Sequence, residues 1–375
     1  MKLIIRLTSW RTVGLVSVFM LFTFLTGCAG GSGSAPAWTA ADAQTAFNDF
    51  NSAFYYNITG SDYGYLVDQG STNPTSFWMF ANDIAMAVDA YNSLGGSTNE
   101  GIITQLINGF NEEHPNWWEG SDEYDDDMMW ATLAYIGAYK AVGTSAWLTE
   151  AEAAYQTVYS RGLASNGGLY WYAAGCPSKC SNSYQNSAAN WTFVIAGALL
   201  YKETQNTTYM NEAKGVYNWA YANLYNSSTG EVYDASTSQA QYSYNYGVAI
   251  GAHYLEGDSS DATLTAQHMM TSMPSYSGID NGYYILLNSD GSENGSDGGG
   301  FNGIALRWTA YAYKNGGISD SKVLAWMQAN VEQGWSQRNS AGLSWNNWES
   351  ATPTSGLYSW DCTDTVVGML DVPQP

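Results

Sequence analysis

The residues with the clearest capacity for chemistry are three consecutive carboxylates, Asp125, Asp126 and Asp127, set directly before the apolar run Met128–Ile136. Cleavage of a glycosidic bond uses two carboxyl groups, one to protonate the leaving oxygen and one to attack the anomeric carbon or activate water. On a helix, Asp126 and Asp127 project about 100° apart, so both can border one pocket only within the first turn. The helix N-terminus favours the ionised form of the nearer carboxylate. Once one is charged, repulsion raises the proton affinity of the other, which divides the pair into a base and an acid. Spacing leaves open which is which. Asp125 reads as the helix cap. A run such as Ser121–Asp127, with five acids in seven residues, is ordinarily solvated surface. The mostly apolar helix that follows sets this one apart.

Other chemistries find less support. His114, His253 and His268 lie far apart, and no Cys/His cluster has ligand spacing, which argues against zinc. Asp290-Gly-Ser292-Glu-Asn294-Gly295 looks like the first half of a calcium loop, but the twelfth position is Phe301, where a bidentate Glu is needed. The segment reads instead as a glycine-rich border to a pocket, and neither metal nor cofactor is expected. A formal net charge of −22 repels phosphate backbones and excludes a nucleic-acid partner. Aromatics reach 15% and charged residues only 12%, so neutral polar groups carry the surface. That mixture suits a neutral sugar polymer, whose ring faces lie on aromatic rings while its hydroxyls need hydrogen bonds.

The N-terminus reads as an address. Lys2, Arg6 and Arg11 precede the apolar run Val13–Leu25, which is short for a spanning helix and suits a signal-peptide core. Leu25-Thr-Gly-Cys28 matches a bacterial lipobox, so residues 1–28 are expected to be a lipoprotein signal with Cys28 acylated and held in a lipid bilayer. Ala29 after the cysteine favours the outer membrane or cell surface. Residues 29–38 form a flexible linker. Cys176 and Cys180 could form a local disulfide in an exported protein, leaving Cys362 as a free, buried thiol.

The elements that must position the carboxylates are helical. A period of 3.6 residues predicts helices near 39–56, 76–94, 99–112, 126–142, 146–161, 186–204, 207–224, 244–256, 259–272, 300–315, 319–336 and 361–370. The even members, such as 186–204, are apolar on most faces, whereas odd members such as 207–224 and 319–336 carry a charged side. Buried helices begin at about 76, 126, 187, 244, 301 and 362, a recurrence that signals repeated helical hairpins. The fold class expected is all-α, an (α/α)6 barrel of six helical hairpins over 39–372, with a linear solenoid as the competing architecture. In the barrel all six starts of buried helices share one end. That mouth gathers Trp78, Tyr124, Asn186, Tyr244, Asn245, Asp297, Phe301 and Trp360 as candidate substrate contacts.

The residues also resemble a known family. Asp126-Asp127-Met-Met-Trp130 is similar to the Asp-Asp-Met-x-Trp-Trp motif of glycoside hydrolase family 76, the α-1,6-mannanases. Tyr184-Gln-Asn186-Ser-Ala-Ala-Asn190 resembles its Tyr-x-Asn-x-x-x-Asn segment, which adds Asn190 to the candidate contacts. Tyr244-Asn245-Tyr246-Gly247 is similar to its Tyr-Asn-Gln-Gly, and Asp297-Gly-Gly-Gly-Phe301-Asn302-Gly303-Ile-Ala-Leu-Arg307 to its Gly-Asp-Gly-x-x-Phe-Lys-Gly-Ile-x-x-Arg. The resemblance implies an (α/α)6 fold and retaining, endo-type cleavage of α-1,6-mannan, with Asp126 as nucleophile and Asp127 as acid/base. Ala131, Tyr246 and Asn302 depart from the pattern, which bears on substrate length and branch tolerance. A transglycosylase of the same fold shares the motif, and a non-catalytic glycan-capturing surface lipoprotein is the reading from another class. A monomer is expected.

Overall fold

The computed structural model describes residues 38–57, 61–173, 184–272, 279–280, 282–286 and 295–375. The expected signal and Cys28, the linker up to residue 37, the Cys176–Cys180 pair and the segment Asp290–Asn294 lie outside the described residues.

Twelve α-helices form among the described residues: α1 (Ala40–Phe54), α2 (Phe77–Leu94), α3 (Ser97–Glu113), α4 (Asp125–Val142), α5 (Ser145–Gly162), α6 (Ser187–Thr204), α7 (Thr207–Asn223), α8 (Ser243–Leu255), α9 (Ser259–Ser272), α10 (Phe301–Lys314), α11 (Ser321–Ser336) and α12 (Thr363–Asp371). Local chemistry sets their ends. Thr39 and Asp42 form a reciprocal capping box on α1, and the side chains of Asn186, Asn206 and Asp320 accept the first free amides of α6, α7 and α11. Gly143 ends α4 at φ 88, a conformation that favours glycine.

The even-numbered helices form an inner ring. Each packs on the next, and α12 returns to pack on α2, so the ring closes. Closure rules out the linear solenoid, in which the last repeat would not meet the first. α6 shows why sequence periodicity separates the two layers: all of Ser187–Leu200 is buried, whereas the outer α7 buries one stripe containing Tyr209, Ala213, Val216, Tyr217 and Ala220. Small residues let the inner helices approach. A Cβ on Gly247 of α8 would lie 2.6 Å from the Cα of Ala305 in α10.

Among the described residues, three short antiparallel hairpins connect helices: β1 (Tyr55–Asn57) with β2 (Gly64–Leu66), β3 (Tyr225–Asn226) with β4 (Glu231–Val232), and β5 (Ile279–Asp280) with β6 (Tyr283–Tyr284). Two single turns of 3-10 helix, Asp297–Gly300 and Trp360–Cys362, lead into α10 and α12. Cys362 is a buried free thiol, as expected.

Candidate active site

The N-terminal ends of the inner helices converge on a cavity of about 600 Å³ that opens to solvent. Asp126 and Asp127 line it from the first turn of α4, Trp78 from α2, Tyr244 from α8 and Phe301 from α10. Ring contacts run from Trp78 to Phe301 (centroids 6.3 Å apart), on to Tyr244 (4.1 Å) and then to Trp130 (6.4 Å), making one continuous aromatic wall. Tyr124, Trp171 and Tyr184 form a second wall, with centroids 5.3 and 5.4 Å apart.

Backbone pairing fixes the second wall beside the carboxylates. The amide of Asp125 donates to the Trp171 carbonyl at 2.8 Å, the amide of Trp171 to the Tyr184 carbonyl at 2.9 Å, and the amide of Ala173 to the Glu123 carbonyl at 2.8 Å. These bonds set the Trp171 side chain beside Asp126, where the indole favours the charged carboxylate although its N–H stops short of a full hydrogen bond. The expectation that Asp125 is a helix cap is corrected here. Its carboxylate is fully buried and turned away from the helix amides toward Arg161, whose Nε stands 2.7 Å from Oδ1. Arg161 also donates to the Gly120 carbonyl at 3.2 Å, so this pair ties the start of α4 to the end of α5 and the preceding loop. Nor is the acidic run solvated surface, since Asp125 and Asp126 are both buried.

The two lining carboxylates have unlike surroundings. Burial pushes Asp126 up to about 7, against the pull of the Trp171 indole and of the helix amides of Asp126 and Asp127. Burial also pushes Asp127 well above the usual carboxylate range, and the carboxylates of Asp126, Asp122 and Asp297 push it further. Of the two, Asp126 therefore releases its proton first and Asp127 later, an order that suits a base beside an acid.

The other expected contacts divide into two groups. Tyr124, Asn186 and Asp297 line the cavity, although the Asn186 side chain is occupied in capping α6. Asn190, Asn245 and Trp360 are buried behind the wall and do not line it. Asn190 bonds both the amide and the carbonyl of Leu169 (2.8 and 3.0 Å), holding the segment that presents Trp171. Asn245 donates to Asp234 at 3.2 Å. The Trp360 indole donates to the Asp297 carbonyl at 2.9 Å and packs edge-on beneath Trp78. Residues that depart from the family pattern also stand off the cavity. Ala131 is in the core, Tyr246 bonds Gln241 and stacks on His268, and Asn302 accepts from Ser243.

Asp234 and Trp171 line the cavity without having been singled out, as do Trp130, read only as part of the family motif, and Tyr242, which was not among the candidate contacts. The run Leu169-Tyr-Trp171-Tyr carried a detectable signal in its aromatic density. Asp234, a lone acid among neutral residues in the connection from β4 to α8, carried none.

A second cavity of about 380 Å³ occupies the far half of the bore, with Trp130 as the wall common to both. Its charges are spent on one another: Arg307 pairs with Asp89 at 2.7 Å and Lys314 with Asp371 at 3.3 Å. The adjacent carboxylates Asp126 and Asp127 line the mouth cavity and not this one.

The model of glycosyl hydrolase family 76 matches residues 38–366. The mannan endo-1,6-alpha-mannosidase DCW1 of Eremothecium gossypii is 24% identical over 335 residues, covering 79% of this chain and 72% of that protein. Among solved structures, an inactive variant of the α-1,6-mannanase GH76A of Salegentibacter sp. HEL1_6, in complex with α-1,6-mannotriose, superimposes with a TM-score of 0.76 at 19% identity, covering 88% of this chain and 98% of that one. The family 76 mannosidase Bt3792 of Bacteroides thetaiotaomicron superimposes with a TM-score of 0.69 at 16% identity, covering 88% and 96%. With a closed (α/α)6 ring, a carboxylate pair at its mouth and a family match spanning nearly all of the described residues, the chain belongs to glycosyl hydrolase family 76 and is a glycoside hydrolase.

Proposed function

We propose that the enzyme cleaves α-1,6-linked mannan within the chain and with retention of configuration. The observation that carries the reading is the pair Asp126 and Asp127, set side by side at an aromatic cavity and surrounded so that Asp126 ionises before Asp127. Asp126 attacks the anomeric carbon while Asp127 protonates the departing glycosidic oxygen. The resulting glycosyl ester is then hydrolysed by water that Asp127, now deprotonated, activates from the vacated side. Trp78, Phe301, Tyr244 and Trp171 offer ring faces to the sugar units, and Asp234 and Asp297 accept from their hydroxyls. The Salegentibacter enzyme supports this assignment, since its inactive variant has two consecutive aspartates replaced and holds α-1,6-mannotriose.

Digestion of unbranched α-1,6-mannan, followed by NMR, tests the reading. The α-anomer should form first, and Asp126→Asn and Asp127→Asn should each lose activity by at least about a thousandfold. First-formed β-anomer, or undiminished turnover by Asp126→Asn, would refute it. Products longer than the substrate at early times would assign transfer in place of hydrolysis. Attachment to a bilayer through Cys28 forms part of the proposal. It predicts that Cys28→Ser releases the protein from the membrane fraction.

A further inference from the structure

The far cavity of about 380 Å³ is a chamber in its own right. Of its described lining it shares Trp130 alone with the cavity that holds Asp126 and Asp127. Much of its wall is apolar. Leu133 and Ala134 line it from α4, Val88 from α2 and Leu199 from α6. Trp308 and Tyr311 of α10 add two rings, packed edge to face with centroids 5.5 Å apart. The lining reaches the surface at Asn92, which is exposed, and at Lys140 and Lys314, whose side chains are 45% and 42% exposed.

The charges of this chamber are matched. Arg307 pairs with Asp89 at 2.7 Å, Lys314 with Asp371 at 3.3 Å and Lys140 with Glu203 at 3.3 Å. An ionic ligand would have to break into one of these pairs, and a partner stranded beside an apolar wall is costly. A neutral ligand leaves them intact. A saccharide fits poorly, because the hydroxyls around its ring would face Val88, Leu133 and Leu199. A buried hydroxyl left without a partner keeps its full desolvation cost.

Among the described residues, one buried side-chain oxygen of the lining lacks a hydrogen bond. It is Oδ2 of Asp371, with Arg307 Nε 3.8 Å away. Burial pushes the Asp371 carboxyl up to about 7, so a ligand meets it as an acid or as a carboxylate. A hydroxyl serves both forms, accepting from the first and donating to the second.

We propose that the far cavity is a second ligand site, for a small neutral molecule that carries one hydroxyl on an aromatic ring. The ring lies among Trp130, Trp308 and Tyr311, where edge and offset contacts add to the gain from burial, and the hydroxyl bonds Asp371. Apolar cavities of this kind take up small aromatic molecules. The site is separate from glycan cleavage and does not depend on which sugar the mouth accepts.

The test is calorimetric titration of the full-length protein with 4-ethylphenol and with ethylbenzene, which lacks the hydroxyl. The phenol should bind with a dissociation constant below about 1 mM and about tenfold more tightly than ethylbenzene. Asp371→Ala should bring the two affinities within about twofold of each other. That ratio is taken within one variant, so a general loss of stability cancels. Leu133→Trp fills the chamber with an indole and should abolish binding of both, while cooperative thermal unfolding shows that the variant is folded. No heat of binding from the wild type at about 5 mM phenol would overturn the proposal. So would binding that survives Leu133→Trp unchanged, which places the phenol elsewhere on the molecule. A tenfold preference for the phenol that persists in Asp371→Ala would overturn the contact on which the choice of ligand rests.

Discussion

Raising the pH from 5 to 8 should destabilise this protein, although acid is what usually unfolds proteins. Asp125, Asp126 and Asp371 are each pushed up to about 7, in every case chiefly by burial. Their unfolded values lie near 3.9. The folded chain therefore keeps these three protons after the unfolded chain has released them, as it does those of Asp83, Asp127 and Asp364, which burial raises further, and the contribution of the three falls as pH rises through the window from about 4 to 7. Between pH 5 and 8 each group contributes about two pH units of difference at about 1.4 kcal/mol per unit, roughly 8 kcal/mol for the three. Two histidines oppose them, His114 and His253, both pushed down by burial. His253, pushed down to about 3 by burial, must stay neutral in the fold while the unfolded ring protonates. Its contribution is lost as pH falls through about 6.5, which returns about 2 kcal/mol between pH 8 and 5. For Asp125, Asp126, Asp371 and His253 together the net is a loss of roughly 6 kcal/mol on going to pH 8. At an unfolding entropy of about 0.7 kcal/mol per degree for a domain of this length, Tm should drop by about 9 °C. Scanning calorimetry at constant ionic strength measures this directly. Asp371 lies away from the mouth, so Asp371→Asn should flatten the slope without touching the acid–base pair. A Tm that is level or rises from pH 5 to 8 would refute the reasoning.

Other consequences can be checked one residue at a time. Arg161→Met strands the buried Asp125 carboxylate and should cost about 3–5 kcal/mol in denaturant unfolding, with Arg161→Lys recovering part of it. Trp171→Phe removes the N–H that favours charge on Asp126. The acid limb of kcat/KM against pH should then move to higher pH, and a shift to lower pH would contradict the assigned role. Gly247→Ala presses a methyl group onto the α10 backbone at 2.6 Å, and overpacking between two inner helices should cost at least about 1–3 kcal/mol, read as a lower midpoint with an unchanged m-value.

The twelve helices were legible because each inner helix is apolar over most of its length while each outer one keeps a polar face, and that contrast survives in any single sequence. α6 and α7 display it plainly, with Ser187–Leu200 buried throughout against a single stripe. The hairpins were not legible, since β3 to β6 are two residues long and no alternation can register over that length. Their pairing is decided by the helices they bridge.

The mouth was legible by position and less so by side-chain direction. Knowing that a residue begins an inner helix says which end of the barrel it occupies, but a rotation of one residue, about 100°, decides between cavity and core. Tyr244 and Asn245 differ by that one step: the first lines the cavity, and the second is buried behind it, bonded to Asp234. Asp125 and Asp126 repeat the division, with one carboxylate facing Arg161 and the next facing the substrate space. The pairs share a logic that follows from helical rotation. Where a helix start places polar residues in sequence, one reaches the ligand and its neighbour is turned toward the wall. The residue turned inward then fixes the loop or acid beside the one that faces out. Asn190 does this for the Trp171 segment through Leu169, Asn245 for Asp234, and Arg161 with Asp125 for the first turn that carries Asp126 and Asp127. A motif with adjacent polar residues therefore encodes a contact and its support together, and only the three-dimensional rotation tells them apart.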